Sequence, residues 1–274
     1  MSVTITAQDI NKLRQSTGAG MLDCRKALTE ANGDFEGAID WLRKQGQKVA
    51  AKRSDREAKE GVVIAQTTAD NKSGIVLCIS AETDFVSNNA EFVTFVKTIA
   101  NAAIENNIQT AEELNKVTIG SETVADMVND KLASIGEKIG ITRFERVNAP
   151  FVASYIHGSN RMGVLVALTK EAAEAGKDVA MQIAAMNPLA VDESSIAPET
   201  IAREREIAIE QIKAEGKPAE MAEKIAVGKV NKFLKDNTLI HQPFVKDASK
   251  TVADYLKSIG VDLKVTSFVR VALG

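Results

Sequence analysis

Two adjacent side chains stand where recognition or chemistry is most open to a partner: Asp84 and Phe85, within Ala81-Glu82-Thr83-Asp84-Phe85-Val86-Ser87-Asn88-Asn89-Ala90-Glu91. The apolar run Ile75 to Ile79 before them reads as a buried strand. Phe92, Phe95/Val96, Ile99 and Ala103 after them recur with helical period. Asn88, followed three positions later by Glu91, resembles a capping box and predicts a helix starting there. Asp84 and Phe85 then fall on a short turn between strand and helix. A carboxylate beside an aromatic ring is poor core material there and a good probe for a partner's pocket. Judged on the turn alone, the blander arrangement is favoured, with Phe85 folded back as a lid and Asp84 capping the turn, because most aromatics tuck in.

The search for catalytic groups returns negatives. The only histidines are His157 and His241, which excludes multi-histidine metal sites. No GxxxxGK[ST] run occurs. Gly18-Ala19-Gly20 is half of a GxGxxG fingerprint and follows a helix pattern, where a dinucleotide fold needs a strand. Ser194-Ser195 has no histidine nearby in sequence and no GxSxG elbow. Glu112-Glu113 falls on a solvated helix face, and His157 at the end of an apolar strand reads as structural or as a surface contact. No nucleophile, base and orienting group assemble. The chain reads as a protein without chemical catalysis.

Composition narrows the classes further. The 274 residues allow two or three compact units, and 45% apolar with 26% charged residues is the balance of a globular protein with real cores. Aromatics are only 4%, which argues against base-stacking platforms. A net charge of -3 argues against a dedicated nucleic-acid binder. Cys24 and Cys78 are far apart, in no CxxC pair, and read as small core hydrophobes. Met-Ser-Val-Thr-Ile-Thr at the start lacks a basic region followed by an apolar core, and no run approaches a membrane span. These features predict a cytoplasmic protein with no membrane partner.

The elements that must position Asp84 and Phe85 follow from periodicity. Residues 4–46 read as three short helices: Ala7 to Ser16, Met21 to Ala31, and a third capped by Asp34 with the stripe Phe35, Ala38, Ile39 and Leu42. Such a minimal bundle suits docking better than catalysis. The mixed-sign segment from Lys44 through Lys48, Lys52, Arg53 and Arg56 to Lys59 reads as a solvated linker helix rather than a nucleic-acid patch. Val62 to Ala65 and Ile75 to Ile79 flank a hairpin loop. A helix from Ser121 to Ile135, with Val124, Val128, Leu132 and Ile135 on one face, leads to a strand from Ile139 to Val147. Strand, turn, strand and helix recur at Phe151 to Ile156, His157 to Arg161, Gly163 to Leu168 and Lys177 to Met186, a weak internal repeat. Thr200 to Ala214 and Ala219 to Leu234, joined at Glu215-Gly216-Lys217-Pro218, read as an antiparallel helical hairpin with Ile201, Ala208, Ile212, Met221, Ile225 and Val230 or Phe233 inward. It is open to self-association or to packing on its own domain. Ser249 is placed as the cap of a helix through Ile259, and Val261 to Val271 closes as a strand.

Several of these segments converge on one family. Thr17-Gly18-Ala19-Gly20-Met21-Leu22-Asp23-Cys24-Arg25-Lys26-Ala27-Leu28 and Ala31-Asn32-Gly33-Asp34 resemble the N-terminal signature of the bacterial elongation factor Ts family. Thr83-Asp84-Phe85-Val86 resembles its second signature. Ser154-Tyr155-Ile156-His157-Gly158 with Gly163-Val164-Leu165-Val166 resembles the third, and Gln242-Pro243-Phe244-Val245 a fourth. The resemblance implies a guanine nucleotide exchange factor for elongation factor Tu, with no cofactor and no direct nucleic-acid contact. It implies an α+β fold: an N-terminal three-helix bundle resembling ubiquitin-associated (UBA-like) domains, a core of two similar α+β subdomains with antiparallel sheets, and an inserted helical hairpin. The units expected are 1–55 for docking, 56–148, then 149–186 with 235–274, and 187–234 for the hairpin, where a homodimer and internal packing are both open.

By the same likeness Asp84 and Phe85, with Val86, Ser87 and Asn88, match the segment that intrudes near the GTPase's magnesium site. Arg14, Met21, Leu22 and Arg25 match contacts of the bundle, Ile135, Gly136 and His157 contacts of the core, and Val245 and Lys246 a contact to another domain of the GTPase. Leu22 stands where many members have Met, Arg25 where many have Lys, and Lys246 where an apolar residue is common. Three other classes compete on the residues alone: a pure adaptor built on residues 4–46, an RNA-associated factor using Lys44 to Lys59, and a hydrolase, the last without a constellation.

Overall fold

The computed structural model describes residues 4–53, 55–216 and 218–274. The first three residues of the N-terminal segment, the Lys217 of the expected hairpin turn and the side chain of Lys52 lie outside the described residues.

The chain opens with helices α1 (Ala7–Thr17), α2 (Met21–Glu30) and α3 (Phe35–Arg53). Thr6 caps α1 reciprocally with Asp9. The Asp34 carboxylate accepts the Gly37 N–H at 2.9 Å at the start of α3. Leu13, Cys24, Ala27, Leu28 and Ala38 are the buried centre of the three helices. The structure corrects the length of the third helix. It does not stop near Leu42 but runs on through the charged stretch to Arg53, so the expected separate linker helix is the end of α3.

Two three-stranded antiparallel sheets follow. In the first, β1 (Glu60–Thr67) pairs with β2 (Ser73–Ala81). After β2 come the one-turn helix α4 (Asp84–Ser87), α5 (Ala90–Glu105), α6 (Ala111–Lys116), a minute hairpin of β3 (Thr118–Ile119) and β4 (Glu122–Thr123), and α7 (Val124–Ile135). β5 (Gly140–Asn148) then returns to the free edge of β2. The second sheet repeats the plan. β6 (Phe151–His157) pairs with β7 (Met162–Leu168). Next come α8 (Ala173–Met186), α9 (Pro198–Ala214), α10 (Ala219–Asn237), a short ribbon of β8 (Pro243–Phe244) and β9 (Asp247–Thr251), and α11 (Val252–Ile259). β10 (Val265–Ala272) closes on β7.

The sheets lie face to face. Val63, Ala65, Val76 and Cys78 of one meet Val152, Leu165 and Ala167 of the other. Helices cover the outer faces: α5 and α7 pack Phe92, Val96, Ile99, Val128 and Leu132 over the first sheet, and α8 and α11 pack Val179, Ile183, Val252 and Leu256 over the second. The strand sequences match this arrangement. β2 is apolar almost throughout because both of its faces are covered, and β5, at the sheet edge, is mixed. α9 and α10 fold back on each other around Ala208, Ile212, Ala222 and Ala226. Val230 is buried and Ile225 packs on this seam as expected, but Met221 points outward and Ala222 takes its place. Thr251, with Asp254, caps α11 in place of Ser249, and Val261 is exposed before the strand begins.

Candidate functional site: an exposed Asp-Phe turn and its supports

Asp84 and Phe85 do not lie on an irregular turn. They are the first two residues of α4, which the sequence reading omitted. Asn88 is not the helix cap. It ends α4, and Asn89 caps α5, its side chain accepting from the Glu91 N–H at 2.8 Å and the Phe92 N–H at 3.4 Å. The extra turn decides where the aromatic goes. At about 100° per residue a single turn cannot point four consecutive side chains one way. Val86 packs partly against the first core and Ser87 is buried, its hydroxyl donating to the Asp84 carbonyl. Asp84 and Phe85 are left outside, and Phe85 is 85% exposed. The arrangement favoured on the turn alone, with Phe85 folded back as a lid, is not formed; Val86 is the apolar residue of this turn that packs on the core. Asn88 is exposed.

Beside α4 stands the end of α7. The sequence put Ile135 on the buried stripe of that helix. The stripe stops at Leu132, and Ile135 is 36% exposed. Gly136 ends the helix in the left-handed conformation at φ 77°, its N–H donating to the Leu132 carbonyl. Glu137, next in the chain, reaches back to the base of α4. Its carboxylate accepts the N–H groups of Glu82 and Thr83 at 3.1 and 3.0 Å and the Thr83 hydroxyl at 2.7 Å.

The third contributor is the loop between β6 and β7. His157 is exposed, its Nδ1 at 2.9 Å from the Tyr155 hydroxyl. The loop is fastened to β1 where the Asn160 carbonyl accepts the Val63 N–H at 2.7 Å. Arg161, at its end, pairs with both carboxylate oxygens of Glu60. Glu60, and beyond it the charge of nearby Asp84, holds the Arg161 guanidinium protonated. Arg161 is a residue the sequence reading did not single out.

The bundle residues form a separate exposed corner. Arg14 lies in the last turn of α1, and Met21, Leu22 and Arg25 lie on α2; all four are exposed, Leu22 at 79%. α3 ties this corner to the core. Arg43 pairs with Glu122 and lies 3.9 Å from Asp130, and Gly46 lets α3 close onto Ala133 of α7. A cavity of about 210 Å³ between α3 and α7 is lined in part by Lys26, Trp41, Arg43 and Asp130, and neither Asp84 nor Phe85 lines it. The Asp-Phe turn thus presents Phe85 to solvent and is no part of that cavity.

Val245 and Lys246 are not brought to this group. They cap the ribbon of β8 and β9 in the helical layer of the second sheet. Val245 is exposed and its N–H donates to Gln182 Oε1 at 2.7 Å. Lys246 Nζ pairs with the buried Asp178 carboxylate at 2.5 Å, which also accepts from the Tyr255 hydroxyl at 2.8 Å. Burial, and then Asp178, push the Tyr255 phenol well above its ordinary value. Lys246 is engaged by its own chain.

The fold is an α+β one that leaves several of the candidate residues exposed, Phe85 and Leu22 most of all. The sequence profile described as elongation factor TS matches residues 82–274. The elongation factor Ts of Christiangramia forsetii is 49% identical over 98% of this chain and 99% of its own length. That of Flavobacterium psychrophilum is 50% identical over 99% of each, and that of Amoebophilus asiaticus 47% identical over 99% of this chain and all of its own. The chain belongs to the elongation factor Ts family, whose work is translation elongation.

The residues that sequence reasoning missed are charged and support or neighbour the exposed ones: Glu82, Glu137, Arg53, Glu60 and Arg161. Glu82 stands inside the stretch first singled out, and Glu137 follows Gly136. Adjacency to those positions was the available signal.

Proposed function

We propose that the protein is the guanine nucleotide exchange factor of elongation factor Tu, and that Phe85 and Asp84 carry the exchange. The observation that carries this reading is the exposure of Phe85 on an anchored one-turn helix, in a chain of this family. Leaving a phenylalanine in water forgoes roughly 1.5–3 kcal/mol of burial, which a partner's pocket can recover. Asp84 places a carboxylate next to that wedge.

A guanine nucleotide is held largely through its phosphates, whose charge a magnesium ion offsets. A wedge that shifts the elements ordering the ion weakens the nucleotide. By linkage the nucleotide weakens the exchange factor by the same factor, so either ligand can leave the ternary complex. No covalent step by this chain is required. The three N-terminal helices, read as a UBA-like docking unit over 1–55, would bind the GTPase through Arg14, Met21, Leu22 and Arg25. Ile135, Gly136 and His157 would flank the wedge, and Val245 would touch a second region of the GTPase. The segments 56–148 and 149–186 with 235–274 form the core in this reading. The hairpin at 187–234 is the part that would carry self-association, which sedimentation velocity reads.

The test is release of fluorescent GDP from elongation factor Tu. Phe85→Ala is expected to slow stimulated release by roughly tenfold or more, as loss of an aromatic anchor would. Its folding stability should change by less than about 0.5 kcal/mol, because the side chain is exposed. Release as fast as with the unaltered protein would exclude the wedge.

A further inference from the structure

The groups that would face the GTPase stand on different elements. Phe85 is on α4, Ile135 and Gly136 end α7, and the docking corner is carried on α3. Two carboxylates join these three. Glu137, from the segment after α7, accepts three hydrogen bonds from Glu82 and Thr83 at the base of α4. Glu82 returns the contact by accepting the Lys138 N–H at 2.6 Å. Glu82 also takes Arg53, the last residue of α3, at 2.8 Å and Arg56 at 3.1 Å. The Lys138 ammonium donates to the Arg56 carbonyl at 2.9 Å. The Glu82 side chain is only 14% exposed.

We propose that Glu137 and Glu82 are positioning residues for nucleotide exchange: their reciprocal clamp holds Phe85 in fixed relation to Ile135–Gly136 and to the end of α3. The proposal rests on the exchange reading above. A helix of four residues has almost no stability of its own. On its C-terminal side the helix ends at Asn88 and the backbone turns extended at Asn89. Thr83, at the cap position, makes no side-chain cap bond, because its hydroxyl is turned to Glu137. What fixes the N-terminal end of α4 is therefore Glu137. A wedge displaces a partner only if its own base yields less than the partner does. One Glu137 oxygen accepts both N–H groups and the other accepts the Thr83 hydroxyl; glutamine can copy this only with a weaker, uncharged acceptor and with its NH₂ turned on the hydroxyl, and alanine not at all.

The decisive measurement pairs two readouts on Glu137→Gln and Glu137→Ala. In the free protein, amide hydrogen exchange at Thr83 should quicken by roughly tenfold, the equivalent of one charge-assisted hydrogen bond. The Leu77 and Ile79 amides in β2 should keep their protection. In steady-state GDP release from elongation factor Tu, kcat should fall by roughly tenfold while KM, set by the Leu22 corner, stays within about twofold. Unchanged protection at Thr83, an unchanged kcat, or a rise in KM alone would overturn the proposal. Protection lost throughout β2 would overturn it too, by making Glu137 a support of the whole fold. If the unaltered protein fails to accelerate GDP release at all, the exchange reading falls, and the hydrogen-exchange arm still reports whether Glu137 clamps α4.

Discussion

At the scale of single residues, the site separates into exposed groups, such as Phe85 and Leu22, and groups that hold them, such as Glu137. Glu82 belongs to the second kind, and its acidity records its surroundings. Burial alone would raise its pKa. The Lys138 N–H and the Arg53 and Arg56 guanidinium groups outweigh burial and bring it down to about 2. A carboxylate with a depressed folded pKa stabilises the protein above its unfolded value, near 4.5, and the contribution is lost as pH falls toward the folded value. The stability difference between the unaltered protein and Glu82→Gln, measured by urea unfolding, should therefore be constant above about pH 5.5. It should shrink between about pH 4.5 and pH 2, from an upper bound of about 3 kcal/mol. A difference independent of pH in that window would show that the charge of Glu82 contributes nothing. Phe85 was legible in the sequence as a candidate, but the turn by itself favoured a tucked ring, since apolar residues after a buried strand mostly return to the core, and only the signatures in other segments reversed that. Glu137 was not legible as its support, because nothing in one chain marks two residues 55 apart as hydrogen-bond partners.

At the scale of elements, the sequence carried the long periodic helices well. Phe92, Phe95, Val96, Ile99 and Ala103 all face the core as their spacing requires. It failed at boundaries, where one residue shifts the outcome. Asn88-Asn89 offers two candidate caps, and the Asn88–Glu91 spacing favoured the wrong one. The backbone decides: Asn88 is still helical, whereas Asn89 is extended at φ -72° and ψ 126° and can aim its side chain at the first free N–H groups of α5. Asn89→Ala should accordingly cost about 1 kcal/mol of stability in urea unfolding, and Asn88→Ala only a few tenths. Equal costs would mean that the break between α4 and α5 is not held by its cap. The minute hairpin of β3 and β4 had no signal to read, because two-residue strands around Gly120 are too short for any periodicity. The internal repeat was visible as a recurring order of strands and helices. Its consequence was not, because it depends on contacts between the two halves.

At the scale of the molecule, that consequence is a near two-fold exchange of hydrogen bonds between the sheets. The Asn71 carbonyl, in the turn between β1 and β2, accepts the Val152 N–H of β6 at 2.6 Å. The Asn160 carbonyl, in the turn between β6 and β7, accepts the Val63 N–H of β1 at 2.7 Å. Both asparagines are left-handed, at φ 55° and 67°. The same sequence offset relates Asp84 to Ala173, the first residue of α8. There the helix runs on unbroken, with Ala175 buried and Gly176 pressed on Ala153. In the first half the corresponding turn is cut off as α4 and carries Phe85 outward, so the candidate site lies where the two halves differ. The sheets meet closely enough to test this symmetry. A Cβ on Gly74 would come within 3.0 Å of Val152 and Leu165, and one on Gly163 within 2.9 Å of Val63 and 3.1 Å of Ala65. Gly74→Ala and Gly163→Ala should each destabilise the protein by roughly 1–3 kcal/mol, the usual range for overpacking. Both additions push on one inter-sheet layer, and the separation they demand has to be made only once. The double variant should therefore lose less than the sum of the two single losses, by at least about 0.5 kcal/mol. Chemical denaturation of the four proteins gives the coupling directly, and strict additivity would mean that each sheet yields locally and that the two halves do not share one packed layer.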